Sequence, residues 1–200
     1  FSAGMPTEEI TIAEVLNEVG YYTAHVGKWH LGRVDGSHPI DQGFDDSLLM
    51  EGGLYLPEND ENVVNAKFDN AIDNMVWARS QYSVSFNKGP AFAPDSYLTD
   101  YYTDEAIKVI ENNLNRPFFL YLAHWAVHNP LQALKHDVDS VKHHTKQHNL
   151  QVYSGMIEAL DRSIGRIIDV LDKNNLSENT LIILTSDNGG ASYIELEDIN

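Results

Sequence analysis

Three times along this chain a helical period of apolar side chains gives way to a short apolar run. That alternation is the strongest constraint on its fold. The third copy is the clearest: Val152, Met156, Ile157, Leu160, Ile164, Ile167, Ile168 and Leu171 recur every three or four residues, the spacing that lines one face of a helix. Asn174-Asn175 ends that helix, and Thr180–Thr185 reads as a continuous apolar strand. The second copy is a helix from about Asp100 to Leu114, with Ala106, Ile107 and Ile110 on one face. Arg116-Pro117 breaks it before a buried strand over Phe118–Ala123. In the first copy Thr11-Ile12-Ala13-Glu14 reads as a capping box, Ile12, Val15 and Leu16 share a face, and Gly20 ends the helix. A strand over 21–26 then runs into Gly27. Near-continuous apolar strands separated by helices predict an α/β fold, a mostly parallel sheet with helices on both faces.

With 200 residues, the chain can bury roughly 70 % of its unfolded surface, so a single α/β domain over 1–200 is the expectation. Between the first two copies, Gly32 to Pro94 is irregular and rich in Gly, Asn, Asp and Pro. A stretch that long is functional or carries short elements. Leu131 to Asn149 is polar, with four His and three Lys, and reads as a loop or a surface helix. Its Lys135, Lys142 and Lys146 with His136, His143, His144 and His148 offer a basic patch, though such runs are usually solvated surface.

Thirteen Lys and Arg against thirty Asp and Glu give a net charge of −17. That excludes general nucleic-acid binding and argues against docking on anionic membranes. No apolar run reaches the length of a membrane span. Without Cys there are no disulfides, thiolate metal sites or thiol nucleophile in the chain. Phe1 stands where a Met would start a protein, so the chain is expected to be processed or an excerpt of a longer one.

Ligands of open α/β sheets bind beyond the carboxyl ends of the strands. After the first strand comes Gly27-Lys28-Trp29-His30-Leu31-Gly32, after the second His124-Trp125-Ala126-Val127-His128-Asn129-Pro130, and after the third Ser186-Asp187-Asn188-Gly189-Gly190. Singly each is ordinary. Trp29 and His124 suit a core, and Asp-Asn-Gly suits a turn. Together they set a Lys, up to three His, an Asp and an Asn at one sheet edge. Asp and Asn oxygens suit Ca²⁺ or Mg²⁺, and two are too few for either ion. Lys supplies a fixed positive charge for a tetrahedral oxyanion, and His can take and return a proton. The set fits hydrolysis of a sulfate or phosphate ester.

These residues resemble the sulfatase family of the alkaline-phosphatase-like superfamily. Gly20-Tyr21-Tyr22-Thr23-Ala24-His25-Val26-Gly27-Lys28-Trp29-His30-Leu31-Gly32 is similar to its signature G-Y-x-T-x-x-x-G-K-W-H-L-G. Gln42-Gly43-Phe44-Asp45, Arg116 to Tyr121, His128-x-Pro130-Leu131-Gln132 and Thr185-Ser186-Asp187-Asn188-Gly189 resemble further segments in the family's order. The resemblance implies a central, truncated piece of an alkaline-phosphatase-like fold. It implies that Lys28 binds sulfate oxygens and the nucleophile, and that His30 hydrogen-bonds the nucleophile and helps release sulfate. His128 would contact the sulfate and the leaving oxygen. Asp187 and Asn188 would ligate a divalent cation, typically Ca²⁺, with Mg²⁺ as the other choice. The family is mostly exported, whether periplasmic, extracellular or lysosomal. Its substrates are small-molecule or carbohydrate sulfate esters.

The departures are as informative. The family's nucleophile is a formylglycine made in a Cys/Ser-x-Pro-x-Arg motif, and no such motif is present; Ser37-His38-Pro39-Ile40-Asp41 lacks the Arg. Its Asp-Asp metal pair and a further Lys after Asp-Asn are also missing. The expectation is an isolated chain that does not turn over sulfate esters and pairs with a second copy through an open sheet edge. A phosphatase or phosphodiesterase of the same superfamily is one alternative. A non-catalytic, degenerate member that binds anions or calcium is the other.

Overall fold

Thr11 opens the first helix as predicted. Its hydroxyl accepts the Glu14 amide at 3.1 Å, and its own amide donates to the Glu14 carboxylate at 2.7 Å, so two donors at the helix start are satisfied reciprocally. The computed structural model describes residues 4–189; Gly190 of the last motif lies outside them. In chain order the elements are α1 (Ile12–Glu18), β1 (Tyr22–Gly27), β2 (Asp46–Met50), β3 (Val63–Ala66), α2 (Ala71–Arg79), β4 (Val84–Phe86), β5 (Ala91–Phe92), α3 (Leu98–Glu111), β6 (Phe118–Ala123), β7 (Leu131–Leu134), α4 (Lys135–Val141) and α5 (His148–Lys173). They gather into two compact units. One comprises residues up to 53 together with 81–125, the other 54–80 together with 126 onward.

The first unit is a five-stranded sheet in the order β5-β4-β2-β1-β6. β1 runs parallel to both neighbours, with Val26 opposite Leu48 on β2 and Leu122 on β6. β4 and β5 add on antiparallel, which makes the sheet mixed. α1 and α3 both pack on β1. The buried contact of α1 is Ala13, whose small side chain joins Trp29, Phe44 and Leu49 in one apolar cluster. The predicted face of Ile12 and Val15 is 64 % and 49 % exposed instead. β6 also differs from expectation. It is the edge strand with a single neighbour among the described residues, so its side chains are only partly covered and Tyr121 is 44 % exposed.

The third predicted strand does not form. Residues 181–186 adopt no regular structure, and Leu181 and Leu184 are 85 % and 76 % exposed. Apolar, β-branched sequence favours a strand only where an edge is available to pair it, and no strand among the described residues pairs here.

In the second unit α5 packs on an antiparallel pair, β3 and β7, in which Asn65 lies opposite Gln132. Val152, Met156 and Leu171 face inward as their period predicts. Asn175, with φ of 58°, follows the helix end. The stretch 131–149 holds a correction. Leu131, Gln132 and Ala133 are fully buried in β7 before the polar helix begins. Gln132 is tolerated there because its amide accepts from the Tyr55 amide and donates to Asn65 Oδ1, both at 2.8 Å. The His- and Lys-rich part forms α4 and a short turn. Lys142 pairs with Asp139 at 2.6 Å, as expected of a surface run, while the exposed His136 ring lies 3.2 Å from the buried Asp137.

Asp137 is a buried charge of this unit, 2 % exposed and held by Arg162 at 2.5 and 3.1 Å. Arg162→Ala should lower the unfolding free energy by about 3 kcal/mol, because it removes the two-point partner of a buried carboxylate and leaves it, among the described residues, only the exposed His136 ring. A urea unfolding curve displaced by less than about 0.5 kcal/mol would contradict that, since ordinary surface changes reach no further.

Candidate active site

Because β1 and β6 are parallel and Gly27 lies opposite Ala123, the segments that follow them leave the same edge of the first unit. The turn begins at Gly27, whose φ is +116° and whose α-carbon faces the Ala123 carbonyl so closely that a Cβ would sit 2.0 Å from its oxygen. The Lys28 amide donates to that same oxygen at 2.8 Å. Lys28 is half-buried, with its ammonium 5.4 Å from the centre of the Trp125 ring. Trp125 is itself fixed by its indole N–H, which donates to the Gly53 carbonyl at 2.9 Å. Trp29 turns into the core and donates to the Ser37 carbonyl at 2.8 Å, so it packs rather than recognises. His30 is exposed. The turn therefore offers one imidazole to solvent and one ammonium beside an aromatic wall.

Other motif residues build the frame beneath that turn. Thr23 is fully buried; its hydroxyl donates to the Gly43 carbonyl at 2.7 Å and accepts the Asp45 amide at 3.0 Å. Asp45 Oδ2 in turn accepts the Thr23 amide at 2.9 Å. The Tyr22 hydroxyl donates to Asp46, and burial first and then this carboxylate push its pKa well up.

Sequence reasoning did not find His25 or Trp125. His25 sits inside β1, 1 % exposed. Its Nε2 lies 3.0 Å from the Lys28 carbonyl and its Nδ1 lies 2.9 Å from Ser47 Oγ. A carbonyl only accepts, so Nε2 carries the proton and Nδ1 accepts the serine hydroxyl. An imidazole inside a strand that is otherwise small, apolar or hydroxyl-bearing was the available signal. His124, beyond β6, packs against the Tyr102 ring at 6.3 Å between centroids, and its Nδ1 is out of contact with solvent.

Burial holds both His25 and His124 neutral, with pKa values lowered to about 4. An imidazole that is neutral in the fold and titrates at its ordinary value when unfolded stabilises fully above pH 6.5. That stability is lost as pH falls from 6.5 toward 4. For His25 the loss should reach about 3 kcal/mol. Denaturant unfolding from pH 7 to pH 4 should therefore weaken steeply, and His25→Gln should flatten the fall. An unchanged slope in that variant would contradict the assignment.

The second unit holds the remaining candidates. His128 Nδ1 lies 2.6 Å from the Asn129 carbonyl, which only accepts, so Nδ1 is the donor of that bond. The His128 carbonyl accepts the Tyr55 hydroxyl at 2.9 Å. Asp187 and Asn188 lie in an exposed bend, where Ser186 Oγ donates to the Asn188 carbonyl at 2.7 Å. They are oxygen donors of the kind a hard cation takes, but among the described residues no group of three or more His, Asp or Glu gathers around a common point. The pair suits calcium in kind and falls short in number.

Known proteins resemble this chain over most of its length. A family model described as Sulfatase matches residues 3–196. The chain is 31 % identical over 190 residues to the N-acetylgalactosamine-6-sulfatase of Canis lupus familiaris, covering 94 % of this chain and 34 % of that protein. It is 32 % identical over 200 residues to an arylsulfatase of Hemicentrotus pulcherrimus, covering 93 % and 32 %. The solved structure of Ps i-CgsB in complex with k-i-k-neocarrahexaose superposes with a TM-score of 0.73 at 30 % identity, over 90 % of this chain and 40 % of that one. The chain thus spans about a third of the length of the curated relatives it matches.

Proposed function

Since the chain belongs to the sulfatase family, we propose that it forms part of a sulfuric ester hydrolase whose anion-handling residues are Lys28, His30 and His128. The observation that carries this is the turn at Gly27, which sets Lys28 and His30 at the carboxyl edge of the sheet inside the longest motif match. Lys28 offers a point charge to the sulfate oxygens, which carry the ester's negative charge through the transition state, while the electron pair of the breaking S–O bond goes to the leaving oxygen. His30 hydrogen-bonds the nucleophile and assists release of sulfate. His128, aimed by the bond from Nδ1–H to the Asn129 carbonyl, protonates the leaving oxygen from Nε2–H in its imidazolium form and is left neutral.

The nucleophile in this proposal is a formylglycine contributed from outside these 200 residues, which contain no Cys. Asp187 and Asn188 contribute two oxygen ligands to Ca²⁺, or Mg²⁺ in its place. Bound there, the cation would draw charge from the sulfate oxygens. The names of the relatives support a sulfated carbohydrate as substrate. The net charge of −17 favours a small ester over a long sulfated polymer. An exported location follows from the same family reading. The Lys28-x-His30 pair favours the sulfatase over the phosphatase alternative.

The 200-residue chain alone should release no 4-nitrophenol from its sulfate ester, with or without calcium. Release would overturn the external nucleophile. The protein expressed from its whole reading frame should release it, and a folded but inert protein would favour the anion- or calcium-binding alternative. The edge of β6, which pairs with no further strand among the described residues, is the surface on which a second copy would pair; light scattering that finds a monomer removes that partner.

A further inference from the structure

We propose that His25 is a positioning residue for Lys28, holding its backbone carbonyl while Trp125 holds its ammonium, so that the lysine is aimed before any ester arrives. The proposal rests on the sulfatase reading above and names the residues that prepare its charged group. Lys28 begins a segment without regular structure, directly after a strand. A flexible four-carbon stem on such a segment would ordinarily sample many positions. Here both ends are held.

At the backbone end, His25 Nε2–H donates to the Lys28 carbonyl at 3.0 Å. The ring cannot swing away. Its other nitrogen accepts Ser47 Oγ on β2 at 2.9 Å. Its faces and edges meet Trp29, Phe44 and Tyr121 at 5.5, 5.7 and 5.8 Å between centroids. The Lys28 amide is fixed as well, by the Ala123 carbonyl at 2.8 Å. With amide and carbonyl both bonded, the backbone torsions of Lys28 are set by β1, β2 and β6 together. At the far end, the Trp125 ring lies 5.4 Å from the ammonium, a contact that attracts a cation and keeps water from one side of it. Trp125 is anchored in turn by its bond to Gly53.

Two conservative variants separate this role from plain packing. His25→Gln keeps an N–H donor at the position that serves Lys28. His25→Asn keeps an acceptor for Ser47 but is too short to reach the Lys28 carbonyl. In the protein from its whole reading frame, His25→Asn should lower kcat/KM for 4-nitrophenyl sulfate by about 30-fold or more, since misplacement by an ångström costs on that order. Inhibition by inorganic sulfate should weaken in parallel, and His25→Gln should stay within about fivefold of wild type. Trp125→Phe should likewise retain more turnover than Trp125→Leu. Variants that lose turnover only in step with their unfolding midpoints, with unaltered sulfate inhibition, overturn the proposal. So does an Asn variant that outperforms Gln.

Hydrogen exchange of the peptide covering residues 28–32 decides the positioning claim even if the wild-type protein proves inert toward sulfate esters. His25→Asn should speed exchange there, with peptides from β2 unchanged, and His25→Gln should not. Unchanged exchange in the Asn variant overturns it. Inert wild-type protein with the predicted exchange would instead remove only the hydrolase reading.

Discussion

Lys28→Ala, made in the protein expressed from its whole reading frame, should lower kcat/KM for an aryl sulfate ester by ~10²–10³-fold, the scale of losing one preorganised charge at a developing oxyanion. Its unfolding midpoint should stay close to wild type, because this half-buried side chain is not part of the buried core. Lys28→Arg should not restore full activity. A planar guanidinium cannot replace a compact ammonium held against the Trp125 ring. Steady-state kinetics with thermal unfolding on the same samples checks this. An alanine variant that keeps more than a tenth of wild-type activity would remove Lys28 from the reacting centre.

Gly27→Ala should be the most damaging single methyl in the first unit. At φ of +116° an L side chain is strained by roughly 1–2 kcal/mol. The new Cβ would meet the Ala123 oxygen at 2.0 Å, and it cannot be relieved by a rotamer change because both partners are backbone. Forced shifts of packed groups cost about 1–3 kcal/mol more. A total near 3 kcal/mol is expected by denaturant unfolding. The amide bond from Lys28 to Ala123 should be lost with it. Gly165→Ala is the matching control. It lies inside α5, where an added methyl would meet nothing within 4 Å, so it should stabilise by about 0.5–1 kcal/mol. Equal effects at the two glycines would contradict a strained, crowded turn at Gly27.

Much of the fold was legible because local chemistry and packing agree. The capping box at Thr11, the strand into Gly27 and the period of α5 all rest on side chains that local rules place. What was not legible depended on neighbours distant in sequence. The run from Thr180 to Thr185 has strand composition, yet no strand among the described residues pairs with it. β7 was hidden because Gln132 breaks an apolar pattern, and only Tyr55 and Asn65, both far away in sequence, make its burial tolerable. In the site, Lys28 and His30 announced themselves through their motif. The supports of Lys28 did not. His25 reads as one more strand residue until Ser47 and the Lys28 carbonyl are seen on either side of its ring. Thr23 and Asp45 show the converse. They belong to recognisable motifs and serve to lock β1 to the segment before β2.

Sulfate ester hydrolysis by this chain's lysine and histidines is the central claim. The most direct test is the ratio of kcat/KM for 4-nitrophenyl sulfate and 4-nitrophenyl phosphate, measured on the protein from its whole reading frame. The expected result is a preference for the sulfate ester by ~10²-fold or more, about 3 kcal/mol of differential transition-state binding. A preference for the phosphate ester would contradict it and move the chain to the phosphatase branch of the same fold.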